Sequence, residues 1–117
     1  MNSFYMNGYL WHVYFIDPYN DLLVDRTNTL RVATTDPKTS SIFLSIYLQG
    51  DFLRHVLTHE LGHCVMFSYH LLEDIHRMVH PKYWVEAEEW VCNFIADYSF
   101  DVLNIVNWIL GDSNYIY

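Results

Sequence analysis

The chain has 117 residues, of which 52% are apolar and 17% charged, so it reads as one domain, 1–117, with a single modest core and no long disordered tail. Fourteen acidic residues against six basic ones give a formal charge of −8. That balance speaks against nucleic acid and anionic membrane surfaces as partners, since both are held by clustered Lys and Arg. Two cysteines, Cys64 and Cys92, are too few for a disulfide framework. The N-terminal stretch lacks the basic and apolar regions of a signal peptide, and no apolar run reaches membrane-spanning length. A cytoplasmic protein is expected.

The first fifty residues read as strands and turns. Leu10 to Ile16 is rich in aromatic and β-branched residues and ends at the turn signal Asp17-Pro18. Leu22 to Val24 is a short apolar piece. Thr29 to Thr34 is a further strand, closed by Thr35-Asp36-Pro37-Lys38. Ser41 to Leu48 alternates most clearly, with Ile42, Leu44, Ile46 and Leu48 on one face. Short connections predict mainly antiparallel pairing. After Gly50 the period changes. Asp51 is the expected N-cap of a helix from Phe52 to about Leu72, with apolar spacing through Val56, Leu57, Leu61 and Val65. Glu73 to His80 is a broken turn or loop. A second helix is expected from near Pro81 towards Asp101, continuing or restarting as far as Gly111. The result is an α+β domain, a small sheet followed by two or three helices.

The first helix contains His59-Glu60-Leu61-Gly62-His63, an H-E-x-x-H pattern. Residues four apart lie one above the other on a helix, so both imidazoles reach one Zn²⁺ ion. Glu60, about 100° further round, reaches a zinc-bound water without being a ligand and serves as its base. Gly62 leaves room for a neighbouring segment. As ordinary surface residues these three would be unremarkable, but the stretch around them is apolar, and burying unpaired His and Glu is costly.

A catalytic zinc needs a third protein ligand and an open position. Tyr69 and Met66 occupy the places where a metzincin carries its third His and its Gly, which excludes that arrangement. The downstream candidates are Glu86, Glu88 and Glu89. Glu89 and Asn93 share a helix face, so Glu89 suits a ligand and Asn93 a partner for a ligand's free ring nitrogen. Ala96 on that face permits close helix packing. His80, followed by Tyr83 and Trp84, is the alternative, in the manner of SprT-like zincins. Cys64 and Cys92 read as small buried hydrophobes. His55 and His70 read as surface residues near the row. His76 and Arg77 sit in the inter-helix segment, as candidates for reaching substrate. Trp84 and Trp90 read as core or cleft walls. Tyr83, His80, Arg77 and Tyr98 are the candidates for stabilising an oxyanion.

The strand Ile42-Phe43-Leu44-Ser45 followed by Phe52 to His63 resembles the ImmA/IrrE-type zinc metallopeptidases, gluzincin-like proteins of bacteria, phages and mobile elements. Their E-x-x-A-N-x-F-A signature is met by Glu89, Cys92, Asn93, Ile95 and Ala96, with Cys for Ala and Ile for Phe. The resemblance runs from about Arg31 to Asp97 and is closest to short stand-alone phage and prophage forms. It implies a minimal zincin-like fold, zinc held by His59, His63 and Glu89, catalysis by Glu60, and a protein or peptide substrate such as a regulatory protein. Ser41 to Leu48 would then border the cleft, offering its edge to an extended peptide. A protein of another class has the same residues: a zinc-stabilised module that binds a partner and is catalytically silent.

Overall fold

A computed structural model describes residues 2–111. Asn7 and Gly8 both take left-handed backbone angles (φ 49° and 84°), the geometry of a tight hairpin turn. They join β1 (Asn2–Met6) to β2 (Tyr9–Ile16) in an antiparallel pair with Met6 opposite Tyr9. The first of these strands was not anticipated. The chain then makes a 3₁₀ turn at Asp21–Leu23, where an apolar piece was expected, and a bridge between Val24 and Leu30. The strand expected at Thr29 to Thr34 forms further on, as β3 (Ala33–Asp36). It turns back into β4 (Ser41–Ser45).

The sheet order is β1-β2-β4-β3. Two of its interfaces are antiparallel, but the central pair, β2 with β4, is parallel. The sheet is therefore mixed. β4 is paired along both sides and all five of its residues are buried, so it has no free edge to offer a peptide. β3 is the strand at the cleft edge instead. Ile46 and Tyr47 leave the sheet and are exposed.

α1 (Gly50–Ser68) lies across this sheet. Its N-cap is Gln49, with no side-chain cap bond; Asp51 sits in the first turn, where a carboxylate favours the helix dipole. Val56 and Cys64 join Trp11, Ile42 and Leu44 in the core. Trp11 is fully buried, donates its Nε1–H to Ser68 Oγ at 2.9 Å and meets Phe67 edge-on. The helix stops at Ser68, before the expected Leu72. Leu71 N–H bonds Met66 O at 2.8 Å and His70 N–H bonds Phe67 O at 3.2 Å. This is the paired closure of a Schellman motif, with His70 at φ 59° in the position usually held by Gly.

The segment expected to be a loop or broken turn is helical, α2 (Leu72–Met78). After a 3₁₀ turn at Pro81–Tyr83, α3 (Trp84–Leu110) runs unbroken for 27 residues and ends at Gly111 with φ 77°. Trp84 stacks on His76 at 4.3 Å and donates Nε1–H to His76 O at 3.0 Å, which ties α2 to the start of α3. α3 crosses α1 at Gly62. A methyl group there would stand 3.2 Å from Cys92 Cα and 3.1 Å from its Sγ, so the missing side chain sets how closely the helices approach. Buried Ala96 extends the contact by one turn. No helix among the described residues is long and apolar enough to cross a membrane.

Candidate metal centre

One turn of α1 places the His59 and His63 rings 5.3 Å apart, side by side. The tight crossing at Gly62 and Cys92 brings Glu89, one turn earlier on α3, over both rings. Glu89 Oε2 is 3.0 Å from His59 Nε2, and its Oε1 is 3.2 Å from His63 Nε2. The Glu89 carboxylate thus bridges the two imidazole nitrogens, one oxygen to each. Asn93 stands beside His59, as its spacing from Glu89 predicted.

Glu60 lies next to this group and is buried. Its Oε1 accepts a 2.8 Å hydrogen bond from Thr35 Oγ1 on β3, and its Oε2 is 3.7 Å from His59 Nε2. The four groups open into a cleft of about 860 Å³ between β3, α1 and α3. The remaining wall is the loop after the first 3₁₀ turn. Asp25 braces it, accepting from Thr27 N–H (2.8 Å), Thr27 Oγ1 (2.6 Å), Thr29 N–H (3.1 Å) and Arg31 Nε (2.7 Å). The braced loop directs Arg26 into the cleft, 3.0 Å from Glu88 and 3.9 Å from Glu89.

The other acidic candidates separate cleanly. Glu88 is buried between Arg26 and His76, whose Nε2 is 2.6 Å from its Oε2. Glu86 borders an apolar groove between α2 and α3. His80 lies outside the cleft and caps the second 3₁₀ turn, its Nδ1 accepting from Lys82 N–H. Among the expected oxyanion partners, Arg77 pairs with Asp74, Tyr83 borders the apolar groove, and Tyr98 is exposed on the far side of α3. Arg26 is the cation placed against Glu88 and Glu89, while Arg31 also lines the cleft but is held by Asp25; nothing in the local sequence of Arg26 except the D-x-T turn pattern at Asp25 signals it. Trp90 is exposed and stacks on Phe94, so it is no part of the core. His55 pairs with Asp97 at 3.5 Å on the rim, and His70 lies on the surface near Tyr9.

Burial raises the pKa of Glu60, and the nearby imidazoles and the Thr35 hydroxyl offset this only in part. His59 is pulled down by burial, but the Glu89 hydrogen bond and the charges of Glu60 and Glu89 outweigh it and hold the ring above its ordinary value. Glu89, bonded to both rings, lies well below the usual carboxylate range. Cys92 Sγ also comes close: His59, His63 and Cys92 offer ligand atoms within 4.8 Å of one another, a group able to hold a metal ion. Without a metal its thiol is pushed up by burial, and by the carboxylates of Glu89, Glu60 and Glu88. Cys64 is pushed up to about 12 by burial and is a packing residue. Comparisons with protein-family models, with curated proteins and with solved structures gave no match to this chain.

Proposed function

We propose that this protein is a zinc-dependent metallopeptidase of the ImmA/IrrE type, with His59, His63 and Glu89 as its metal ligands. The observation that carries the reading is the position of Glu89, whose two oxygens meet the Nε2 atoms of both motif histidines. Two imidazoles and a carboxylate suit zinc and leave a fourth position for water or substrate. Zinc held there supplies a Lewis acid for a peptide carbonyl and lowers the pKa of a bound water.

The chain's own residues do the rest. Thr35 anchors Glu60 through Oε1, which leaves Oε2 on the side of the histidines to take a proton and return it to the departing amine. Arg26 meets negative charge on the substrate or at the reacting carbonyl oxygen. An extended protein segment lies along β3, where Thr34 and Thr35 line the cleft.

Glu60→Gln tests the reading. The variant is expected to bind as much zinc as the wild type and to lose about 10²–10⁴-fold in hydrolysis of unfolded protein substrates. Equal hydrolysis by the two proteins contradicts it. A second reading rests on Cys92. If both Cys92 and Glu89 ligate, four protein donors close the site, and the metal is structural. In that case Glu60→Gln changes nothing and zinc removal unfolds the chain.

A further inference from the structure

The C-terminal half of α3 is apolar yet exposed. Trp90, Phe94, Tyr98, Val102, Ile105, Trp108 and Ile109 all project away from the metal centre, and Trp108 is 85% exposed. At about 100° per residue they fall within roughly a third of the helix circumference, opposite Glu89, Cys92 and Ala96. Trp90 stacks on Phe94, and Phe94 meets Tyr98 at 5.8 Å with the rings tilted by 49°. At its N-terminal end it opens into the apolar groove of Ile75, Met78, Val79, Tyr83 and Ala87.

We propose that this face is the interface of a two-fold dimer of the chain, with the α3 helices antiparallel and crossing beside Tyr98. The knob and the hole lie on one helix at its two ends. Trp108 and Ala87 are 21 residues apart, about 32 Å at 1.5 Å per residue, with their midpoint beside Tyr98. A two-fold axis there sets Trp108 of each copy against the groove of its mate, and an isologous contact of this kind closes without forming fibres. Met78 in the groove wall adapts to the indole. At roughly 150–250 Å² for each large aromatic side chain, the stripe leaves on the order of 800 Å² uncovered per copy. That matches the area each partner contributes to a standard stable interface.

Charge favours a second copy over a lipid surface. From Tyr83 onwards the sequence has no Lys, Arg or His, whereas helices that lie on anionic bilayers carry basic residues along their polar face. Between Trp90 and Leu110 the charged residues are Asp97, which pairs with His55, and Asp101, which falls within the stripe between the directions of Trp108 and Phe94.

Sedimentation velocity of the full chain from about 1 to 100 µM tests the proposal. A dimer, twice 14.0 kDa, is expected in that range. Trp108→Glu should raise the dissociation constant about 100-fold, the loss typical of an aromatic anchor seated in a pocket, with an unchanged circular-dichroism spectrum. Tyr98→Cys should form a disulfide-linked dimer under mild oxidation, because residue 98 meets its own mate and Cys64 and Cys92 are buried. A wild type that stays monomeric overturns the proposal. So does a dimer that Trp108→Glu leaves intact or that Tyr98→Cys fails to cross-link; a monomer that floats with neutral lipid vesicles would assign the face to a membrane instead.

Discussion

Gly62→Ala probes the contact on which the site depends. Two effects oppose one another. Alanine in a helix interior is favoured over glycine by about 1 kcal/mol. The added methyl, however, stands 3.2 Å from Cys92 Cα and 3.1 Å from Cys92 Sγ. Sulfur can rotate away; backbone cannot, so the helices must separate by a few tenths of an ångström. Overpacking of this kind costs roughly 1–3 kcal/mol. The net expectation is destabilisation by about 1 kcal/mol, or about 4 °C in Tm for a chain of this size. The displacement also carries Glu89 away from His59 and His63, where contacts of 3.0 and 3.2 Å leave little slack. Zinc affinity should fall on the order of tenfold, the lower end of what is lost when support around a metal site is disturbed. Thermal unfolding of the metal-free protein and competition titration with a zinc chelator measure the two effects separately. A variant that is more stable than the wild type and binds zinc equally well would refute the tight crossing.

Three further changes follow from the same geometry. Ser68→Ala strands the buried indole N–H of Trp11 and should cost about 1–3 kcal/mol, and adding Trp11→Phe should recover part of the polar penalty; denaturant titration of the single and double variants checks this. Asp25→Asn loosens the loop that carries Arg26 and should cost about 1 kcal/mol at pH 7. Although burial pulls the Asp25 carboxyl up, the hydrogen bonds from Thr27, Arg31 and Thr29 hold it well below its ordinary 3.8. Its contribution is therefore present above that pH and is lost as pH falls through the lower folded value, so the gap between wild type and variant should narrow below pH 3.8 in a pH series of unfolding curves. Glu88→Ala leaves His76 and the half-exposed Arg26 without their shared partner and should destabilise the chain by about 1 kcal/mol, whereas an unchanged Tm would mean that this network carries no weight.

The meeting of His59, His63 and Glu89 is largely a matter of helix periodicity, and that makes it legible in the sequence. His59 and His63 share a face because they are four apart, Glu89 and Asn93 for the same reason, and Gly62 and Ala96 mark where the two helices touch. What periodicity does not carry is the pairing of distant segments. β4 reads as an alternating strand, but its place between β2 and β3 depends on a parallel pairing across the intervening segment from Asp17 to Ser40. That pairing moves the free edge of the cleft to β3. The Asn7-Gly8 pair is a hairpin signal in the sequence, while the residues of β1 themselves show no strong alternation. Arg26 enters the site only through the fold: its neighbours announce a turn, not the direction in which that turn points. Cys92 is similar. It reads as packing and does pack, yet the helix crossing also sets its sulfur near both histidines.

The central claim is that Glu89 completes the metal site. Zinc stoichiometry by elemental analysis, on wild type, Glu89→Gln and Cys92→Ser, tests it directly. The account predicts one zinc per chain in the wild type and in Cys92→Ser, and loss of most of it in Glu89→Gln. A Glu89→Gln protein that keeps its zinc while Cys92→Ser loses it would contradict the account and make the thiol the third ligand.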